Sequence, residues 1–98
     1  MTHSPLLHLS PRDNVCAATR SLQAGDVVPF QEGTLQIRAS IPVGHKVAVL
    51  PIQKGRKVLK YGASIGSAIC DIAVGEHVHT HNLESDYLPS DGRGKGLR

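Results

Sequence analysis

The residues best suited to chemistry in this chain are the three histidines of one short run, HVHTHN at residues 77–82. His77, His79 and His81 alternate with Val78 and Thr80, and a period of two places all three imidazoles on one face of a strand. Same-face neighbours on a strand are roughly 7 Å apart, so two such rings can converge on one ion. Imidazole is also the commonest side-chain ligand for transition metals. A solvated strand edge has no need of three histidines facing one way. The spacing predicts a functional site on His77, His79 and His81 for a metal or an anion, with Fe, Mn or Zn as the candidate ions if it is a metal. Asn82 is placed to orient a ring or a ligand, and Glu76 and Glu84 are near enough in sequence to complete the shell.

Two further pairs are read from residue type alone. His45 and Lys46 follow Gly44, and a turn-borne His-Lys pair suits a carboxylate substrate, or equally two solvated side chains. Lys60 and Tyr61 put a cation and a phenol on a loop before Gly62. His3 and His8, near the start of the chain, read as surface residues. Cys16 and Cys70 lie in apolar runs without Cys-x-x-Cys spacing, so buried, reduced thiols are expected. A glycine-rich phosphate loop, a serine nucleophile elbow and a Cys-His pairing are all missing.

The elements that must position these groups are set by a countable pattern. An aliphatic residue, two others, Gly, two others and Val recur as Leu22-Gly25-Val28, Ile41-Gly44-Val47, Ile52-Gly55-Val58 and Ile72-Gly75-Val78. The spacing between units is uneven, which excludes a solenoid. Each unit reads as a tight turn in which Gly takes a positive φ, the aliphatic residue closes one strand and Val opens the next. Pro42 argues against helix in the second unit. Residues 34–40, 46–52 and 67–72 read as short strands, the first with Leu35, Ile37 and Ala39 inward. Gly62 and Gly66 mark a bend. Residues 14–22 are ambiguous between helix and strand, and strand is preferred. Many short strands joined by Gly-centred turns imply an all-β, barrel-like or clip-like fold over residues 1–83. A flexible basic tail or docking arm is expected over residues 84–98. The histidine run is placed at the end of the last strand.

Composition bounds the rest. Ninety-eight residues, 40% of them hydrophobic and only 3% aromatic, make one domain with an aliphatic core. So short a chain has modest stability alone, and oligomerisation or docking on a larger subunit is the natural remedy. A scattered net charge of +3 argues against nucleic acid as a partner. A signal peptide and a bilayer-spanning run are not indicated, so a soluble, cytoplasmic protein is expected.

Residues 44–85, read as GHKVAV, then I..G..VLKYG..IG.A..DI..GEHVHTHNLES, resemble the N-terminal domain of the altronate dehydratase family. DNV at 13–15 and LQAG at 22–25 fit the same pattern. That domain belongs to the SAF superfamily, so the resemblance implies a β-clip. It also implies a hydro-lyase that removes water from a sugar acid, with the β domain acting beside a large catalytic region or subunit. Relatives that eliminate sulfite from sulfolactate carry this domain as a separate small subunit, and related β-clips also serve as non-catalytic binding modules. Dehydrating a 2,3-dihydroxy acid requires proton removal next to a carboxylate and loss of a β-hydroxyl, which a divalent ion, an acid and a base assist. By resemblance His45 and Lys46 are expected to be catalytic, Lys60, Tyr61 and Asn82 to contact substrate, and His77, His79 and His81 to hold metal.

Overall fold

The computed structural model describes residues 4–85. His3 and residues 86–98 of the expected tail lie outside the described residues.

Nine short strands run β1 (Leu6–Leu7), β2 (Val15–Ala18), β3 (Val27–Phe30), β4 (Gly33–Gln36), β5 (Lys46–Ala48), β6 (Lys57–Lys60), β7 (Ala63–Ala68), β8 (His77–Val78) and β9 (Leu83–Glu84). All pairings are antiparallel. A central sheet has the order β1-β2-β5-β8, the hairpin β3-β4 stands by itself, and β6-β7-β9 form a third sheet. The described residues contain no helix, so the fold is all-β, as the turn pattern and the resemblance implied. The preference for strand over helix at 14–22 also holds, since β2 occupies it.

The central sheet is the wall between two cores. Cys16, Ala18, Val47 and Val49 face one cluster with Leu22, Val28, Leu35, Ile37 and Ile41 from the first hairpin unit. Val15, Ala48 and Val78 face the other, with Ile52, Val58, Ala68 and Ile72 from the second. Alternation along β2 and β5 produces this division, because neighbouring residues must point to opposite faces. Val15, Val47, Val58 and Val78 are fully buried, each contributing roughly 1.5–3 kcal/mol of burial free energy.

The fourfold turn pattern proves to be two pairs. Leu22 and Ile41 exchange both backbone hydrogen bonds at 2.9 Å, and Ile52 and Ile72 do the same at 2.9 and 2.8 Å. Gly25 donates to the Ile37 carbonyl and Gly55 to Ala68, both at 2.7 Å, while Gly44 donates to Ala18 at 2.7 Å and Gly75 to Ala48 at 2.8 Å. All four glycines have φ between +83° and +95°, the region that only glycine enters without strain. Two copies of one hairpin-and-turn unit therefore clasp the central sheet from its two faces.

Several boundaries differ from the sequence reading. In the segment 34–40 the buried alternation of Leu35 and Ile37 is as expected, but pairing stops at Gln36. The strand expected at 67–72 sits earlier, at Ala63–Ala68, and Ile72 makes an isolated bridge instead. Gly66 is therefore inside a strand, where a side chain at its Cβ would collide with the Glu84 carbonyl of β9, and the register shifts opposite it between Val58 and Leu59. Packing of β9 against β7 explains this glycine. The same strand carries regular structure past residue 83. Cys70 is exposed, because it falls in the turn after β7. Cys16 is buried as expected, and burial, with the Asp13 carboxylate adding to it, pushes its thiol up to about 12.

Candidate metal centre

The main correction concerns the histidine run itself. Only His77 and Val78 are strand; residues 79–82 form a turn, and β9 follows it. The three histidines therefore do not line one strand face. Asn82 closes the turn. Its Oδ1 accepts from the His79 N–H at 2.9 Å, its Nδ2 donates to the His77 carbonyl at 2.9 Å, and its own N–H donates to the His79 carbonyl at 3.0 Å. Asn82 is only 3% exposed. It orients the histidine-bearing backbone, whereas direct contact with substrate was expected. A buried amide engaged at both ends has little left to offer a ligand.

A second turn brings His45 to the same place. Gly44, at φ +83°, bends the chain so that the His45 N–H donates to the Pro42 carbonyl at 3.0 Å and its carbonyl accepts from Ala18 at 2.9 Å. Two residues later Val47 pairs with His77 across β5 and β8. His45 Nδ1 lies 2.9 Å from His77 Nε2. The His45 ring stacks on His77 at a centroid distance of 5.1 Å and on His79 at 4.6 Å. One donor nitrogen from each of His45, His77 and His79 falls within 4.8 Å of the others.

These three residues, all half-buried, are the group that fits a metal. Nitrogens sharing one tetrahedral ion at the usual bond length stand roughly 3.4 Å apart, so small ring rotations would close the set. Electrostatics favour the neutral, metal-ready form. Loss of solvent holds His77 below its ordinary value, with the charges of His45, His81, His79 and Lys46 adding in that order. The same causes, desolvation first and then His45, Lys46 and His81, lower His79.

The remaining expected residues separate from the trio to different degrees. His81 is exposed, and its ring tilts at 34° beside His77, 5.4 Å between centroids, outside the three-donor group. Neither Glu76 nor Glu84 joins that group. Lys46, although next to His45, pairs with Ala17 and Val78 and so points to the opposite face of the sheet. Burial and the neighbouring charge of Lys60 lower its pKa. Lys60 holds its Nζ 4.8 Å from the Tyr61 ring centroid. Tyr61 and Gly62, at φ +57° and +77°, form the two-residue turn between β6 and β7, a type I′ geometry. The buried carboxylate of Asp13 secures that turn by accepting from the Tyr61 and Gly62 N–H groups at 2.8 and 2.7 Å. His8, expected at the surface, is half-buried, packs edge-on to Phe30 and donates through Nε2 to the Asp13 carbonyl at 3.1 Å.

Sequence spacing hid His45 as a partner of His77 because 32 residues separate them. The turn repeat held the signal, since it puts Val47 and Val78 at the same place, the second residue of their strands. Grooves of about 800 and 390 Å³ exist elsewhere, along Asn14, Gln53 and Leu59 and along His8, Phe30 and Leu50, and neither is lined by the histidine trio.

The model of the altronate/galactarate dehydratase SAF domain matches residues 4–86. An altronate dehydratase of Escherichia coli (strain K12) is 43% identical over 79 residues, which is 81% of this chain and 16% of that protein. An altronate dehydratase of Bacillus subtilis (strain 168) is 34% identical over 80 residues, again 16% of its length. The alpha subunit of (2R)-sulfolactate sulfo-lyase from Paracoccus pantotrophus is 47% identical over 51 residues, 52% of this chain and 76% of that subunit. The chain thus spans about one sixth of the two dehydratases it matches.

Proposed function

The chain belongs to the altronate/galactarate dehydratase SAF domain family, and from that premise we propose that it is the histidine-bearing β unit of a sugar-acid hydro-lyase. It works with a large catalytic dehydratase-like subunit to eliminate water from a hexonate such as altronate. The observation that carries this reading is the convergence of His45 from the turn before β5, His77 from β8 and His79 from the turn after it.

In the elimination the C–H bond next to the carboxylate breaks and its proton goes to a base, while the β-hydroxyl takes a proton from an acid and leaves as water as the C=C bond forms. A divalent ion, when bound, would neutralise the negative charge that builds on the substrate oxygens. His45, His77 and His79 would hold it, and an all-imidazole set suits Fe or Zn better than Mn. Asn82 keeps two of the three rings in place through their backbone. His81, exposed beside His77, is free to carry a proton at its ring nitrogens. A site completed by a second chain is supported by the match to 76% of a sulfo-lyase alpha subunit.

The match to 76% of a sulfo-lyase alpha subunit supports a second reading, in which the same unit serves a carbon–sulfur lyase with sulfite as leaving group. One experiment separates the two. The chain is assayed alone and with a large dehydratase-like partner, following water loss from altronate and sulfite release from sulfolactate. Water loss by the pair alone is expected, and it should disappear with His77→Ala. Sulfite release instead would establish the second reading. Metal binding without either activity would leave a non-catalytic module, and full activity of the isolated chain would refute the two-subunit account.

A further inference from the structure

The two hairpin units share a turn geometry but not its charge. Gln23-Ala24-Gly25-Asp26-Val27-Val28 opens the first unit, and Gln53-Lys54-Gly55-Arg56-Lys57-Val58 opens the second. The same bond closes each turn, from Asp26 N–H to the Gln23 carbonyl at 3.0 Å and from Arg56 N–H to the Gln53 carbonyl at 2.9 Å. Where the first turn has one carboxylate, the second has three exposed cations, Lys54, Arg56 and Lys57. The turn itself does not need them. Asp26 braces the first turn by accepting from the Gln23 N–H at 2.9 Å. The second is braced from outside by Asp71, whose Oδ1 accepts from the Lys54 N–H at 2.9 Å, so position 56 has no capping duty.

This turn borders the groove of about 800 Å³. Pro51, Ile52 and Leu59 give the groove apolar walls, and the charged side chains that line it, Arg56 and Lys57, are both cations. Asn14 stands at the wall with its amide already engaged. Its Nδ2 donates to the Lys57 carbonyl at 3.0 Å and its Oδ1 accepts from the Leu59 N–H at 2.8 Å. The Asn14 side chain thus occupies the outer edge of β6 as a neighbouring strand would. A segment entering the groove cannot add to β6 at these residues, and it must be recognised through its side chains. Apolar walls with a rim of one sign fit a segment of the opposite sign.

We propose that this groove docks an acidic, extended segment of a protein partner, with one apolar side chain against Pro51 and Leu59 and flanking carboxylates on Arg56 and Lys57. Because the histidine trio does not line the groove, docking is separable from metal binding. Identifying the partner as the large dehydratase-like subunit rests on the sugar-acid reading above; the charge-selective groove does not.

The test titrates the ¹⁵N-labelled full chain with two synthetic peptides, acetyl-Asp-Glu-Leu-Asp-Glu-amide and its neutral counterpart acetyl-Asn-Gln-Leu-Asn-Gln-amide. The acidic peptide should shift amides at residue 14 and residues 52–59, and the neutral one should not. Lys54→Ala/Arg56→Asp/Lys57→Val copies the first turn, a sequence this fold already accepts, and should weaken acidic-peptide binding at least about tenfold, as loss of charge-assisted bonds implies. Arg56→Lys/Lys57→Arg, which keeps both charges, should retain it. So should Arg20→Glu, which changes net charge at an exposed residue of the first unit. Absence of shifts, equal shifts from the two peptides, or equal weakening by Arg20→Glu would overturn the groove. A uridine oligonucleotide that moves these amides while the acidic peptide does not would overturn the protein assignment. With the large subunit, the triple variant should lose salt-sensitive binding. Lyase activity with binding unchanged in the triple variant would sink this docking alone. Charge-dependent binding in a pair without lyase activity would sink the sugar-acid reading alone.

Discussion

His45 Nδ1 and His77 Nε2 share a hydrogen bond of 2.9 Å, although His45 lies in the turn before β5 and His77 opens β8, 32 residues further along the chain. One nitrogen must donate and the other accept, so at most one proton sits between the rings. Protonating both would set two N–H groups against each other. The pair is therefore built for its neutral or singly protonated states, the states from which a metal displaces a proton most easily.

Acid should destabilise the fold. His77 and His79 are both held below the ordinary 6.5 of histidine in the folded chain. Above that value they are neutral in both states and contribute nothing to pH dependence. As pH falls through 6.5 the unfolded chain takes up protons first, and folded stability is lost until the lower folded values are reached. Thermal melts of metal-free protein from pH 8 to pH 5 should show midpoints falling below about pH 6.5, and His77→Gln should shrink the drop. Midpoints that stay level down to pH 5 would refute the assigned shifts.

Asn82→Ala should unfasten the histidine turn. It removes an acceptor for His79 N–H and a donor for the His77 carbonyl at a buried position, a loss of ~1–3 kcal/mol. The melting temperature should drop and metal affinity should fall with it, because the ring positions depend on that backbone. A variant with wild-type melting and wild-type metal affinity would show that Asn82 positions nothing.

The turn glycines should differ in their tolerance of alanine. Gly44 and Gly75 have nearly the same φ, but a Cβ on Gly44 meets open space, while one on Gly75 collides with the Gln36 carbonyl. Gly44→Ala carries only the backbone strain, ~1–2 kcal/mol, and Gly75→Ala adds a clash with main chain. Chemical denaturation should rank Gly75→Ala as clearly the less stable. The reverse order would contradict the packing of Gly75 on β4.

Much of this architecture was legible in the sequence because it depends on single residues with narrow conformational demands. The four Gly-centred turns were countable, and the valines that follow them are buried, each one residue inside its strand. What periodicity could not show was where a strand gives way to a turn. Val78 reads as strand, and so would His79 and His81, until the Asn82 side chain is seen to fold the run back on itself. The same limit hid His45, which reaches the site through sheet pairing. It also joined Lys46 to His45 by sequence, where the pleat sends them to opposite faces. Cys70 was misjudged for a related reason, since an apolar run is buried only while its strand lasts.

The histidine trio should retain its metal through purification. Protein purified without chelator or histidine tag should carry iron or zinc approaching about one ion per chain, measured by elemental analysis. His45→Ala, His77→Ala and His79→Ala should each lose most of it, by roughly tenfold or more for a ligand, while His81→Ala retains it. Equal metal content in the wild type and all four variants, or loss only with His81→Ala, would contradict the centre described here.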